Sequence, residues 1–138
     1  MYVLDASVIL KWYLQEESSN LALAFRQKYL SGTYNLALPD LILYEISNAL
    51  KHEKSFSIKA TIEAVEALID LGIDLVVPTK SMIRYGLEVA YENKITFYDA
   101  AYISLAHELG YNFVTADEKL FKKTKNIKFI NFLPEITP

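Results

Sequence analysis

Short apolar runs alternate with longer segments of helical period along the whole chain. This alternation restricts the fold more than any other feature, because apolar strands separated by helices are accommodated by a parallel sheet. The runs are Tyr2–Leu4, Leu36–Leu38, Asp74–Val77, Asn112–Thr115 and Ile127–Phe132. Helices are expected between them at Ser7–Leu14, Ser18–Ser31, Pro39–Lys54, Ser57–Leu71, Thr79–Asn93, Phe97–Leu109 and Glu118–Lys123. Serine opens the second, Thr79 caps the fifth, and Pro39 suits the first turn of the third. Gly32, Gly72 and Gly110 stop three of them. The fold class is therefore α/β. With no linker, repeat or low-complexity segment in 138 residues, one domain spanning 1–138 is expected.

Three acids share a placement in this pattern. Asp5 ends the first strand at the start of a helix, Asp117 does the same after a later strand, and Asp99 lies in the first turn of a helix. In an open parallel sheet, the crevice beyond the carboxyl ends of the strands is where ligands bind. Taken singly, each acid reads as a helix cap, worth about 1 kcal/mol and favourable to the helix dipole. Ser7 and Thr115 are likewise ordinary capping or turn residues.

Glu45 does not fit that reading. It sits inside "LILYEISNAL", where Leu41, Ile42, Ile46 and Ala49 point to a mostly buried helix. A carboxylate there costs several kcal/mol unless it is paired or binds a cation. Arg26 and Arg84 are distant, and Lys51 and His52 lie about two turns on. Asn48 shares the face of Glu45. A salt bridge to a remote lysine is the less favoured alternative. If the four acids converge, they cannot all remain ionised without compensation, and a hard divalent cation such as Mg²⁺ or Mn²⁺ supplies it. Metal-assisted phosphodiester hydrolysis is the chemistry that follows, with one or two cations per site.

The segments "VLDASV" at Asp5, "LPDLILYEISNAL" at Glu45, "TFYDAAYISLA" at Asp99 and "FVTADEKL" at Asp117 resemble, in this order and spacing, the PIN-domain ribonucleases, in particular the VapC-type toxins of prokaryotic toxin–antitoxin pairs. The resemblance covers nearly the whole chain. It implies a PIN-like parallel β-sheet of four to five strands sandwiched by about seven helices. It also implies a Mg²⁺- or Mn²⁺-dependent single-strand endoribonuclease, a homodimer, and a small antitoxin that blocks the pocket. The family's acidic, metal-holding and catalytic positions match Asp5, Glu45, Asp99 and Asp117, and its supporting polar positions match Ser7, Asn48 and Thr115. One departure is Lys119, which stands where some relatives carry a further acid. Its neighbour Glu118 reads as a first-turn helix acid.

Composition narrows the alternatives. A net charge of −3 and a pI near 5.4 provide no bulk affinity for nucleic acid, so RNA binding requires a local basic patch. Lys119, Lys122, Lys123, Lys125 and Lys128 form one candidate, with a solvated helix and turn as the other reading; Lys11 is a weaker addition. Absence of cysteine excludes disulfides and zinc–thiolate sites, and no apolar run is long enough for a membrane span. With no signal-peptide pattern at the N-terminus, a cytoplasmic location is expected and no membrane partner. Tyr98 and Tyr102 flank Asp99 and read as packing before base stacking. Trp12 and Tyr13 read as core for at least one of the two, and His52 and His107 have no partner at metal-ligand spacing. Two further readings compete: the same fold as a non-catalytic RNA- or protein-binding module, and a phosphoryl-transfer domain with Asp5 as nucleophile, as in receiver or haloacid-dehalogenase-like folds. The haloacid-dehalogenase-like fold wants a second acid where Ser7 stands, and the receiver's paired early acids and late lysine are not found.

Overall fold

The computed structural model describes all 138 residues. Strands β1 (Tyr2–Leu4), β2 (Leu36–Pro39), β3 (Asp74–Val76), β4 (Asn112–Thr115) and β5 (Ile130–Phe132) form one sheet in the order β3-β2-β1-β4-β5. Every neighbouring pair is parallel. The helices are α1 (Ala6–Ile9), α2 (Ser19–Leu30), α3 (Leu41–Lys51), α4 (Ile58–Asp70), α5 (Lys80–Asn93), α6 (Phe97–Leu109) and α7 (Glu118–Lys123). Single 3₁₀ turns follow α1 and β5.

The expected α/β architecture with five strands and seven helices is the one observed. Successive residues of a strand face opposite sides of the sheet. Val3 and Leu4 of β1, and Phe113, Val114 and Thr115 of β4, are all fully buried, so helices cover both faces of the central strands. These strands anchor a core of 27 buried apolar residues. From β1 the chain runs outward to β2 and β3, then crosses back to β4 on the other flank of β1. Strand order reverses between β1 and β4, which puts the ligand crevice of such a sheet beyond the ends of those two strands. Their register pairs Leu4 with Val114, and the Asp5 N–H donates to the Val114 carbonyl at 2.9 Å.

Several boundaries differ from expectation. Pro39 closes β2 rather than opening a helix. β1 pairs with β2 no further than Ala37, so a residue without an N–H is tolerated at the strand's last position. The first helix is only one turn before it tightens to 3₁₀ at Leu10. The last strand begins at Ile130, because Ile127–Ile130 is held in a turn by the Ile130 N–H to the Ile127 carbonyl. The bounds of α6, β4 and α7 are those expected, and Thr79 caps α5 by accepting from the Met82 N–H. α3 is not buried on nearly every side. Ile42, Ile46 and Leu50 make one buried stripe, while Tyr44 is 74% exposed.

α6 is the most buried helix, covered along Ala100 and Tyr102–Ala106, and α5 crosses it closely. Gly86 permits that approach. A Cβ there would stand 3.0 Å from Cε1 of Phe97, the first residue of α6. Gly86→Val is therefore expected to lower stability by about 2 kcal/mol through overpacking, despite the better helix propensity of valine. Urea unfolding of the variant beside the parent chain measures it.

Candidate functional site

Asp5, at the end of β1, is the most buried of the four acids, at 5% exposure. It occupies the N-cap position of α1, yet its carboxylate makes no capping bond. Instead the Ser7 hydroxyl donates to Asp5 Oδ2 at 2.6 Å and the Thr115 hydroxyl donates to the same oxygen at 2.8 Å. Ser7 Oγ accepts the Ala116 N–H at 3.0 Å, and Thr115 Oγ1 accepts the Asp117 N–H at 3.0 Å. These bonds join the start of α1 to the end of β4. No buried side-chain oxygen is left without a partner, so the unbonded Oδ1 of Asp5 keeps access to solvent.

The other acids follow a related pattern. Asp117 does cap its helix, with Oδ1 accepting the Leu120 N–H at 3.0 Å, and Oδ2 is free. Glu45 is half-buried on α3, and no lysine pairs with it. Its partner is the Tyr102 hydroxyl, which donates to Oε1 at 2.7 Å and leaves Oε2 free. Asp99 lies in the first turn of α6, whose cap is Thr96, accepting the Asp99 N–H at 3.1 Å. Thus Asp5, Glu45 and Asp117 each commit one oxygen to the protein and keep one unbonded.

Electrostatics shows that the acids are neighbours. Burial first, then the charges of Asp99 and Glu45, push the Asp5 carboxyl up to about 6, against the pull of Ser7 and Thr115. Burial raises Glu45, with Asp99 adding to the rise and the Tyr102 hydroxyl opposing it. Burial and then the charge of Asp117 raise Asp99, with Thr96 and Lys123 opposing. Tyr102 is pushed far above the usual phenol range by burial and by Glu45, so it remains a donor. Among cations, only Lys123 offsets the crowding, and only at Asp99.

The donor set is all oxygen and mutually repulsive, which suits a hard divalent cation and not zinc. No three of the acids are drawn together tightly enough to make a closed cage. A cation that retains several waters requires no such cage, being held through one or two carboxylates.

Some of the expected supporting residues are hydrogen-bonded into this group. Ser7 and Thr115 are, through Asp5. Asn48, one turn after Glu45 on α3, is exposed, and its side chain makes no hydrogen bond within the protein; its carbonyl accepts the His52 N–H. Tyr102 is packed in the core as expected, but its hydroxyl's grip on Glu45 joins residues 57 apart, and local sequence carries no signal for that. Tyr98 is 64% exposed, contrary to the packing expected for it. Trp12 packs against the core and donates to the Ala22 carbonyl at 2.8 Å, while His107 stacks on Tyr85 with centroids 3.8 Å apart. Glu118 is a first-turn acid, paired with Lys122 at 3.1 Å.

This sheet, with acids grouped at its switch point, is that of a known family. Residues 2–127 match the PIN domain. Exonuclease VapC9 of Pyrobaculum aerophilum is 33% identical over 124 residues, covering 82% of this chain and 86% of the relative. Ribonuclease VapC3 of the same organism is 30% identical over 125 residues, covering 88% and 92%. The chain belongs to the PIN-domain family, and its relatives there are VapC nucleases. VapBC2 from Rickettsia felis, in a structure bound to a DNA fragment from its promoter, superimposes with a TM-score of 0.69 at 15% identity, covering 95% of this chain and 96% of that one. That likeness is one of fold.

The Asp5 carboxyl is raised from 3.8 to about 6, so the cation-free native state holds its proton where the unfolded chain does not. Stability from this group is highest below about pH 4 and falls as pH rises to about 6, by on the order of 3 kcal/mol. Chemical denaturation in a chelator is expected to show that fall, and Asp5→Asn to flatten it and stabilise the chain at pH 8. Tyr102→Phe keeps the buried ring but removes the donor to Glu45. It is expected to lower stability by about 1–2 kcal/mol, a value reduced because Glu45 is half-exposed and regains water.

Proposed function

We propose that this chain, as one PIN domain over residues 1–138, is a divalent-cation-dependent endoribonuclease acting on single-stranded RNA, and the toxin of a cytoplasmic type II toxin–antitoxin pair. The observation that carries the reading is the set of free carboxylate oxygens on Asp5, Glu45 and Asp117 around Asp99, which is difficult to keep charged without a cation. The relatives' names support a nuclease, and the name of one supports RNA as its substrate.

In this reading Asp5, Glu45, Asp99 and Asp117 hold one or two Mg²⁺ or Mn²⁺ ions. When bound, the cation supplies Lewis-acid stabilisation of the charge that builds on the phosphate. Ser7 and Thr115 orient Asp5 by fixing Oδ2, so that Oδ1 faces the ligand. Tyr102 holds Glu45 in the same way, which leaves Oε2 as the one Glu45 oxygen for the cation. Water adds to phosphorus through its oxygen, the P–O bond to the leaving ribose oxygen breaks, and the proton given up by the water is balanced by one that the leaving oxygen takes from solvent.

The partners are RNA, a cognate antitoxin and a second copy of the chain. Neighbouring folds solved as toxin–antitoxin complexes support the antitoxin. No helix is long and apolar enough to cross a membrane.

Purified protein with Mn²⁺ or Mg²⁺ is expected to cut a circular single-stranded RNA, which an exonuclease cannot attack. Asp99→Asn should slow cutting by at least about 100-fold, a loss of ~3 kcal/mol of transition-state stabilisation. Millimolar cation should also raise the melting temperature of the parent chain. Cleavage of linear but not circular RNA would make it an exonuclease. Unchanged cleavage by Asp99→Asn would overturn the site, and with no cleavage at all the non-catalytic binding module becomes the better reading.

A further inference from the structure

The lysine-rich stretch after Asp117 does not act as one patch. Lys122 turns to Glu118 at 3.1 Å. Lys125 and Lys128 border a separate hollow with Phe121 and Ile127. Lys11 faces a third, beside Glu17 and Phe132, that contains none of the four acids. Only Lys119 and Lys123, four residues apart on one side of α7, line the hollow that holds Asp99 and Asp117, about 180 Å³ in volume.

A third lysine joins them from elsewhere in the chain. Lys94 ends α5 in the left-handed region, at φ +55, and lines the same hollow. The Lys123 ammonium donates to the Lys94 carbonyl at 3.2 Å, which ties α7 to the α5–α6 junction. None of the three lies within 4 Å of a carboxylate, since the ion pairs of the structure are Lys59–Glu63 and Lys122–Glu118. Lysines that served only to neutralise Asp99 and Asp117 would pair with them. These stand beside the acids with their charges unpaired. A polyanion must approach four carboxylates closely, and three lysines at one rim of the site, none paired with a carboxylate, offset that repulsion.

We propose that Lys94, Lys119 and Lys123 form a backbone subsite that takes phosphodiester groups of single-stranded RNA on the α7 side of the four acids. The subsite rests on the ribonuclease reading above and adds to it which rim the strand follows. Lysine meets phosphate as a point charge and carries no base preference, so this rim sets affinity and the path of the backbone and leaves sequence choice to other contacts.

The test is RNA binding across a salt series, in an Asp5→Asn background that prevents cleavage. Fluorescence anisotropy follows a labelled, unstructured oligouridylate in the presence of Mg²⁺. Each of Lys94→Ala, Lys119→Ala and Lys123→Ala is expected to weaken binding several-fold. Each should also reduce the slope of log Kd against log salt by about 0.7, and the triple variant by about 2. Lys125→Ala with Lys128→Ala should leave the slope unchanged. All five side chains are exposed, so the folds should be retained, and melting curves check it. With Asp5 intact, the three lysine variants should raise KM for RNA and leave kcat within about twofold. A triple variant with the parent slope, or an equal loss in the Lys125/Lys128 variant, overturns the subsite. Cleavage by the parent chain is scored separately: an unaltered slope in a chain that cleaves RNA removes the subsite alone. A parent that does not cleave removes the enzymatic reading.

Discussion

One carboxylate oxygen, Asp5 Oδ2, is held by two hydroxyls that come from opposite ends of the sequence. Ser7 and Thr115 each use the same oxygen as a second function, taking the N–H groups of Ala116 and Asp117. The arrangement stitches the end of β1 to the end of β4 at the place where strand order reverses. It also draws the Asp5 carboxylate away from its own helix, so the cap position of α1 is occupied by a side chain that does not cap. Local helix stability yields there to the position of a buried charge.

That position is electrostatically costly. Three of the four acids are raised by burial and by each other, and the structure answers with hydroxyl donors in preference to ion pairs. A hydroxyl lowers the cost of a carboxylate without cancelling its charge, so the site stays anionic. An arginine in the place of Tyr102 would satisfy Glu45 and remove its attraction for a cation. The site is therefore a region where the fold is less stable than it would be with neutral residues, the usual condition of functional groups in a rigid frame.

The surroundings are asymmetric. α6 contributes Asp99 at its start and Tyr102 one turn later, so a single helix sets one acid directly and a second through its phenol. Close packing of α5 on α6 at Gly86 fixes that helix. On the other side, α7 divides its charges: Lys119 and Lys123 line the hollow of Asp99 and Asp117, and Lys122 pairs with Glu118.

Much of this was legible in the chain. Strands and helices followed from apolar runs, serine and threonine caps and glycine stops, because these act over a few residues. The candidates Asp5, Asp99 and Asp117 followed from their placement at element ends, and Glu45 from its apolar neighbours. What local pattern cannot carry is partnership across long separations. Asn48 shares a helix face with Glu45 in sequence, but whether its side chain bonds to any partner in the fold is not written there. Tyr102 reads as packing in sequence, yet its hydroxyl finds Glu45. Five lysines read as one patch, yet helix phase and the turn after α7 send them to three places, and Lys94 arrives from another helix. Sequence by itself determined which segments are strands and helices and which acids stand at their ends, since backbone preference and side-chain period are local. Only the tertiary structure decided which oxygen of each acid is bound and which is free, since that depends on hydroxyls and charges brought together by packing.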